Sequence, residues 1–256
     1  MSRYRIDLNC DMGESFGAYE IGQDRAVLSH ITSANIACGY HAGDPNVMRR
    51  TVRAALEKGV GLGAHPGLPD LIGFGRRDMA ITPEDAYTMT LYQVGALAAI
   101  AKAEGGRLQH VKPHGALFNM AAKDAALARG IAQAVASLDE SFVLFGLAGS
   151  ELVKAGREVG LSVAEEVFAD RTYQVDGSLT PRSHPHAVIK DPTEAAQRVI
   201  QMVTEKQTIT VDGAKIPVNA DTVCIHGDHP DALTFIEHLL NAFRTEGISV
   251  KGVCQP

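Results

Sequence analysis

Residues 5–14 read Arg5-Ile-Asp7-Leu-Asn9-Cys-Asp11-Met-Gly-Glu14, with polar and apolar side chains in alternation. Successive side chains of a strand point to opposite faces, so Asp7, Asn9 and Asp11 share one side. A charge is expensive to bury unless it is paired or binds something. The stretch therefore reads as a strand over Arg5–Asn9 that runs into a polar site.

The pattern repeats along the chain. Short apolar runs at Ala34–Cys38, Val60–His65, His110–Lys112, Phe142–Gly146, Ser162–Glu166 and Thr222–His226 are separated by longer helical patterns. Seven strands alternating with helices predict parallel βα units. At 256 residues the chain has the length of a single α/β barrel.

Helix starts are marked by a capping side chain before a proline, in Asp44-Pro45, Thr82-Pro83 and Asp191-Pro192. Glu194 completes a capping-box pattern at the third. Pro230 reads as a further first-turn proline behind Asp228 or His229. Gly59 and Gly247 stand where a helix needs a left-handed closing residue. The longest helix is expected from Pro83 to Ala103. Thr208–Val218, with Asp212-Gly213 at its centre, reads as a hairpin inserted before the last barrel strand. No repeat or linker-like segment interrupts the pattern, so residues 1–256 read as one β/α-barrel domain with a hairpin insertion near 208–218.

Bulk properties narrow the function classes. The net charge of -6 argues against nucleic acid, whose binders carry a basic face. No run of 18 apolar residues exists, so no membrane span is expected. The N-terminus, MSRYRIDLNCD, has no apolar secretory core, which points to the cytoplasm. Cys10, Cys38, Cys224 and Cys254 form no CxxC pair and read as free thiols.

In a β/α barrel, active residues sit at the C-terminal ends of the strands and in the loops after them. Here nearly every strand ends in polar side chains. They include Asn9, Asp11 and Glu14 after the first strand, His41 after the second and His65 after the third. Lys112 and His114 follow the fourth, Glu165, Glu166 and Arg171 the sixth, and His226 and Asp228 the seventh. Some have a plain structural use: Asp44 reads as a helix cap and Asp70 as a turn residue. Four histidines at four strand ends, His41, His65, His114 and His226, point instead to one shared site. Lys112 is expected to pair with an acid. Histidines and carboxylates supply general acids, general bases or metal ligands. The spacing is not that of a known zinc motif; HExxH is absent. Gly59-Val-Gly61-Leu-Gly63 runs into a strand rather than a helix, so it reads as close packing, and no Walker motif is present. Arg76-Arg77, Arg171 and Arg182 are candidate clamps for an anion.

Several of these segments together resemble the LamB/YcsF family, whose members are understood as the A subunit of 5-oxoprolinase. They are Asp7–Glu14, Ala34–Asp44, His65-Pro-Gly67, Phe74-Gly-Arg-Arg77, Val111–Asn119, Glu166–Arg171 and Cys224–Asp228. The resemblance spans essentially the whole chain. Tyr40 stands where the family favours Phe, and Phe118 where Tyr is common; both keep an aromatic ring.

The resemblance implies an imperfect seven-stranded (β/α) barrel, glycoside hydrolase/deacetylase-like. It implies hydrolysis of 5-oxo-L-proline to L-glutamate with ATP as co-substrate, and 5-oxoprolinase subunits B and C as partners. In that frame Asp11 or His41 is the general base for water, and Lys112 and His114 stabilise developing negative charge. Arg171 or Arg182 holds the substrate carboxylate beside Asn9 and His65. Asp7, His65 and His226 are the candidate ligands of a divalent metal. Two other readings are kept: a metal-dependent carbohydrate deacetylase, and a ligand-binding or regulatory subunit without catalysis.

Overall fold

The structure is a computed structural model and describes residues 3–225 and 232–254. Its strands are β1 (Tyr4–Met12), β2 (Ser33–Ala37), β3 (Gly61–His65), β4 (Leu108–Val111), β5 (Val143–Leu147), β6 (Ser162–Phe168), β7 (Gln207–Ile209), β8 (Lys215–Pro217), β9 (Thr222–Ile225) and β10 (Ile248–Val250). Strands β1 to β6 pair in sequence, β9 pairs with β6, and β9 returns to β1 with Asp7 opposite Thr222. All these pairings are parallel, so seven strands close a barrel. Strand β10 is an addition that the sequence did not announce. It pairs with the first residues of β1, Tyr4 opposite Ile248, ahead of the point where β9 takes over.

The expected hairpin is present as β7 and β8, antiparallel, with Gly213 in the left-handed region at its turn. Asp44, Thr82 and Asp191 each cap a helix through side-chain oxygens that accept backbone N–H groups. The reciprocal capping box, however, forms between Thr82 and Asp85 and not at Asp191, whose side chain accepts from Thr193 alone. The helix Pro83–Ala103 has the expected bounds. Pro230 and the residues before it, His226 included, lie outside the described residues. Among the described residues no helix is long and apolar enough to cross a membrane.

Alternation along β1 divides the core. Ile6, Leu8, Cys10 and Met12 are fully buried in the apolar cluster that the surrounding helices share. Asp7, Asn9 and Asp11 point inward, where the barrel is filled with polar side chains in steps. At the lowest step Asp7 accepts hydrogen bonds from the hydroxyls of Thr32, Ser33 and Thr222. One step up, Asn9 donates to Glu166 (2.9 Å) and accepts from Asn35 (2.7 Å), while Nε2 of His110 donates to Asn35 Oδ1 (2.8 Å). Buried polar groups of this kind are tolerable only when each finds a partner. Gly63 makes room for this step, because a Cβ there would fall 2.0 Å from Nε2 of His110. The glycine-rich run at 59–63 is therefore packing, as its position against a strand suggested. Alternation also separates two neighbours in β6. Glu166 faces the interior, whereas Glu165 meets Arg157 and the Gly149 backbone on the other side.

Candidate active site

The top step of the interior is the C-terminal rim. Lys112, next after β4, places Nζ 2.9 Å from Asp11 Oδ1, 2.9 Å from Glu166 Oε1 and 3.0 Å from Cys224 Sγ. Burial pushes the ammonium down, but Asp11, Cys224 and Glu166 together outweigh it and hold Lys112 above its ordinary range. Lys112 is thus a cation at neutral pH, paired with an acid as its sequence context suggested.

Around it stand three imidazoles. His65 is the last residue of β3, His114 follows β4 through Pro113, and His41 lies in the loop after β2. His41 stacks flat on His114 (centroids 3.7 Å, planes 3° apart), and His65 meets both rings edge-on. Glu14, just past β1, brings Oε1 to 3.4 Å from His41 Nε2 and 3.6 Å from His114 Nδ1. Asp11 Oδ2 lies 3.3 Å from His65 Nε2.

Backbone carbonyls fix two of the rings. His65 Nδ1 donates to the carbonyl of Lys112 (2.7 Å), and His114 Nε2 donates to that of Phe74 (2.8 Å). A carbonyl oxygen only accepts, so both of those nitrogens carry hydrogen. Phe74 takes a left-handed conformation (φ 54°), uncommon for a residue with a side chain and typical of functional sites. The same loop seals His41, since a Cβ on Gly67 would fall 2.5 Å from its Nδ1. Burial, reinforced by the neighbouring imidazoles, pushes His41 and His114 well below the ordinary histidine range. Both rings are therefore neutral.

Above these groups opens a pocket of about 450 Å³. His65, Lys112 and His114 contribute to its lining, with Arg76, Arg171 and Arg182 further out. Arg171 is buried and donates to the carbonyls of Thr180 and Ala187. Burial first, then Arg182, lowers it to about 10, which leaves it charged at neutral pH. Arg76 lies over the Phe74 ring. Its neighbour Arg77 turns away to Asp70, which also accepts from the Gly73 backbone, so Asp70 serves the turn.

Asp11, His41, His65, Lys112 and His114 thus come together, Asn9 lies 3.3 Å below Lys112 Nζ, and Arg171 and Arg182 line the same pocket. Asp7 does not join them. It sits four residues down β1 from Asp11, about 13 Å at the rise of a strand. His226 lies outside the described residues. Two members of the constellation were given no role from sequence, Glu14 being named only among the polar strand endings. Glu14 closes the first motif after the left-handed Gly13, and its parity in the strand gave no reason to select it. His110 was read only as a strand residue, although it shares the inward parity of Lys112. Cys10 and Cys224 in strands and Cys38 just past β2 are buried thiols, with burial pushing Cys10 and Cys224 well up and Cys38 to about 12, so none of the three is a ready thiolate. Glu14, His41, His65 and His114 each offer one donor atom, all within 4.8 Å of one another, and this set can hold a metal ion.

The model of the LamB/YcsF family matches residues 6–256. The chain belongs to that family. Among LamB/YcsF proteins, the A subunit of the 5-oxoprolinase of Halalkalibacterium halodurans is 60% identical over 249 residues, which cover 97% of each chain. The crystal structure of the lactam utilization protein from Thermus thermophilus superposes with a TM-score of 0.91 at 46% identity, covering 97% of this chain and 99% of that one. A cellobiose-phosphate cleavage protein from Enterococcus faecalis, so described as putative, is 16% identical with a TM-score of 0.56, covers 98% of each chain and shares the fold alone. The LamB/YcsF relationship therefore spans the barrel and the rim together.

Proposed function

We propose that this chain is the A subunit of an ATP-dependent 5-oxoprolinase, which opens 5-oxo-L-proline to L-glutamate together with B and C subunits. The observation that carries the reading is the meeting of His65, His114 and the charged Lys112 in one pocket whose lining also holds three guanidinium groups. Close relatives that bear the name of that subunit support it.

The chemistry asks for such a site. Resonance makes a lactam carbonyl a poor electrophile. Transfer of a phosphoryl group from ATP to the lactam oxygen yields an imidate-like carbon. One water then adds there, the C–N bond breaks to release the amine, and a second water frees phosphate from the resulting acyl phosphate. A chain without a Walker motif fits if the partners provide much of the nucleotide site.

In this reading the neutral His114 takes the proton from the attacking water. His65 lines the pocket beside it, with His41 behind them. Lys112, held charged by Asp11 and Glu166, offsets negative charge on the oxygen, as preorganised cations do. This shifts the role of His114 from cation to base, because burial keeps it neutral. Asp11 serves by holding Lys112 and facing His65. The substrate carboxylate or phosphate meets Arg171 and Arg182. Asn9 acts from beneath, through Lys112.

The test is reconstitution with candidate B and C subunits, measuring glutamate from 5-oxoproline while ATP and each of the three chains are omitted in turn. Loss of product on omitting this chain or ATP is expected; full product without this chain rejects the reading. A second reading, a metal-dependent carbohydrate deacetylase, is favoured by the Glu14–His41–His65–His114 donor set. It requires acetate release by the chain alone, without ATP. A purely binding subunit requires that complexes keep their turnover after replacement of His65 and His114.

A further inference from the structure

The hydrogen-bond polarity of the imidazole cluster carries an inference that does not rest on the lactam reading. A ring nitrogen that meets a carbonyl oxygen carries hydrogen, and the other nitrogen of the ring is the one left for a ligand. His65 uses its N–H on the Lys112 carbonyl, and His114 uses its own on the Phe74 carbonyl. The other nitrogens, His65 Nε2 and His114 Nδ1, face each other at 2.9 Å. Two ring nitrogens at that distance are joined by a proton or by a metal ion.

The neighbouring atoms are donors as well. His41 is fully closed off from solvent, and among the described residues neither of its ring nitrogens has a hydrogen-bond partner. Its Nε2 is 3.4 Å from Glu14 Oε1, which is 3.6 Å from His114 Nδ1. Ligands at about 2.0–2.1 Å around a tetrahedral zinc ion stand roughly 3.3–3.4 Å from one another. The His65–His114 and His114–Glu14 separations, 2.9 and 3.6 Å, bracket that spacing, and all four donor atoms lie within 4.8 Å of one another. Metal-binding histidines also characteristically donate their other N–H to a carbonyl, as both rings do here.

We infer that His65 Nε2, His114 Nδ1 and Glu14 Oε1 form a binding site for a divalent first-row transition ion of the zinc type, with His41 as the adjoining donor. The flat stacking of His41 on His114 bears on that last place. Two parallel rings cannot both aim their lone pairs, in plane, at one ion, so His41 ligates only if its ring tilts. Imidazole-rich donors of this kind select zinc-like ions over magnesium or calcium. The donor set differs from Asp7, His65 and His226, since Asp7 is committed to three hydroxyls at the lower step of the barrel.

The full chain, stripped with chelator and dialysed against zinc, is to be analysed for bound metal, without lactam, nucleotide or partner. One ion per chain is expected. Loss of affinity in His65→Ala and in His114→Ala should exceed the roughly 10–100-fold that removal of a supporting partner costs. Replacing the exposed His184 and His186 together should leave the stoichiometry unchanged. Where a variant fails to fold, cobalt in the wild-type chain still decides. Visible bands of four- or five-coordinate cobalt with nitrogen and oxygen ligands support the site, and a six-coordinate aquo-like spectrum rejects it. A wild-type chain that retains no ion, or His65→Ala and His114→Ala chains that retain theirs, would overturn the inference and leave a shared proton between the two rings. No turnover is measured, so this result stands or falls apart from the lactam reaction; an ion held here takes the lone pairs of His65 and His114, and the role of base in that reaction then falls to Asp11.

Discussion

The ammonium of Lys112 lies 2.9 Å from Oε1 of Glu166, and solvent reaches neither side chain to any useful extent. Asp11 holds the same ammonium from the other side. Removing one partner of a buried ion pair leaves an uncompensated charge, which costs about 3–5 kcal/mol. Lys112→Met should therefore lower unfolding stability by that order in urea titrations. The double variant Lys112→Met/Glu166→Gln should recover part of the loss. Equal stabilities for Lys112→Met and the wild type would contradict the pairing.

Gly63 and His110 share one space. Gly63→Ala pushes a methyl group into the His110 ring, inside the fully buried strand β3. Overpacking of this kind costs roughly 1–3 kcal/mol and sometimes more. The expected outcome is a lower midpoint of thermal unfolding, relieved in part when His110→Ala is added. Additive losses in the double variant would show that the two residues do not compete.

Asp44 accepts the N–H groups of Asn46 and Val47 at 2.8 and 2.9 Å. Loss of such a cap costs about 0.5–2 kcal/mol. Asp44→Ala should fall in that range by urea unfolding, and Asp44→Asn should lose less. A neutral Asp44→Ala would mean that the Asp44–helix bonds do not persist in solution.

Arg77 holds the Asp70 carboxyl at about 2, down from 3.8. A depressed carboxyl favours the folded state above its unfolded pKa, and that benefit fades as pH falls through the folded value. The wild type should therefore lose this contribution between about pH 4 and pH 2. Arg77→Gln should flatten that part of the stability profile, and added salt should do so partially, because Arg77 is largely exposed. An unchanged acid limb in Arg77→Gln would remove the ion pair from the account.

Much of this architecture was legible in the residues, for stated reasons. Period-two alternation and polar endings located all seven barrel strands, and the proline-marked starts located the helices after Asp44, Thr82 and Asp191. Strand β10 escaped because three residues, Ile248 to Val250, hold no period. Alternation told which side of β1 bears Asp7, but not that Asp7 lies two steps below the rim. The strand-end rule brought His41, His65 and His114 to one place. It named Glu14 but gave it no role, since Glu14 reaches them from a turn. Nor could it assign hydrogens to ring nitrogens, since those depend on the Lys112 and Phe74 carbonyls, and Phe74 belongs to a distant loop.

The most direct test of the lactam reading is the rate of glutamate formation by a reconstituted complex carrying His114→Ala in this chain, with thermal unfolding measured beside it. General acid–base groups contribute roughly 100- to 10,000-fold, so a fall of at least about 100-fold in a folded chain is expected. Turnover equal to that of the wild-type complex would contradict the assignment of chemistry to this rim.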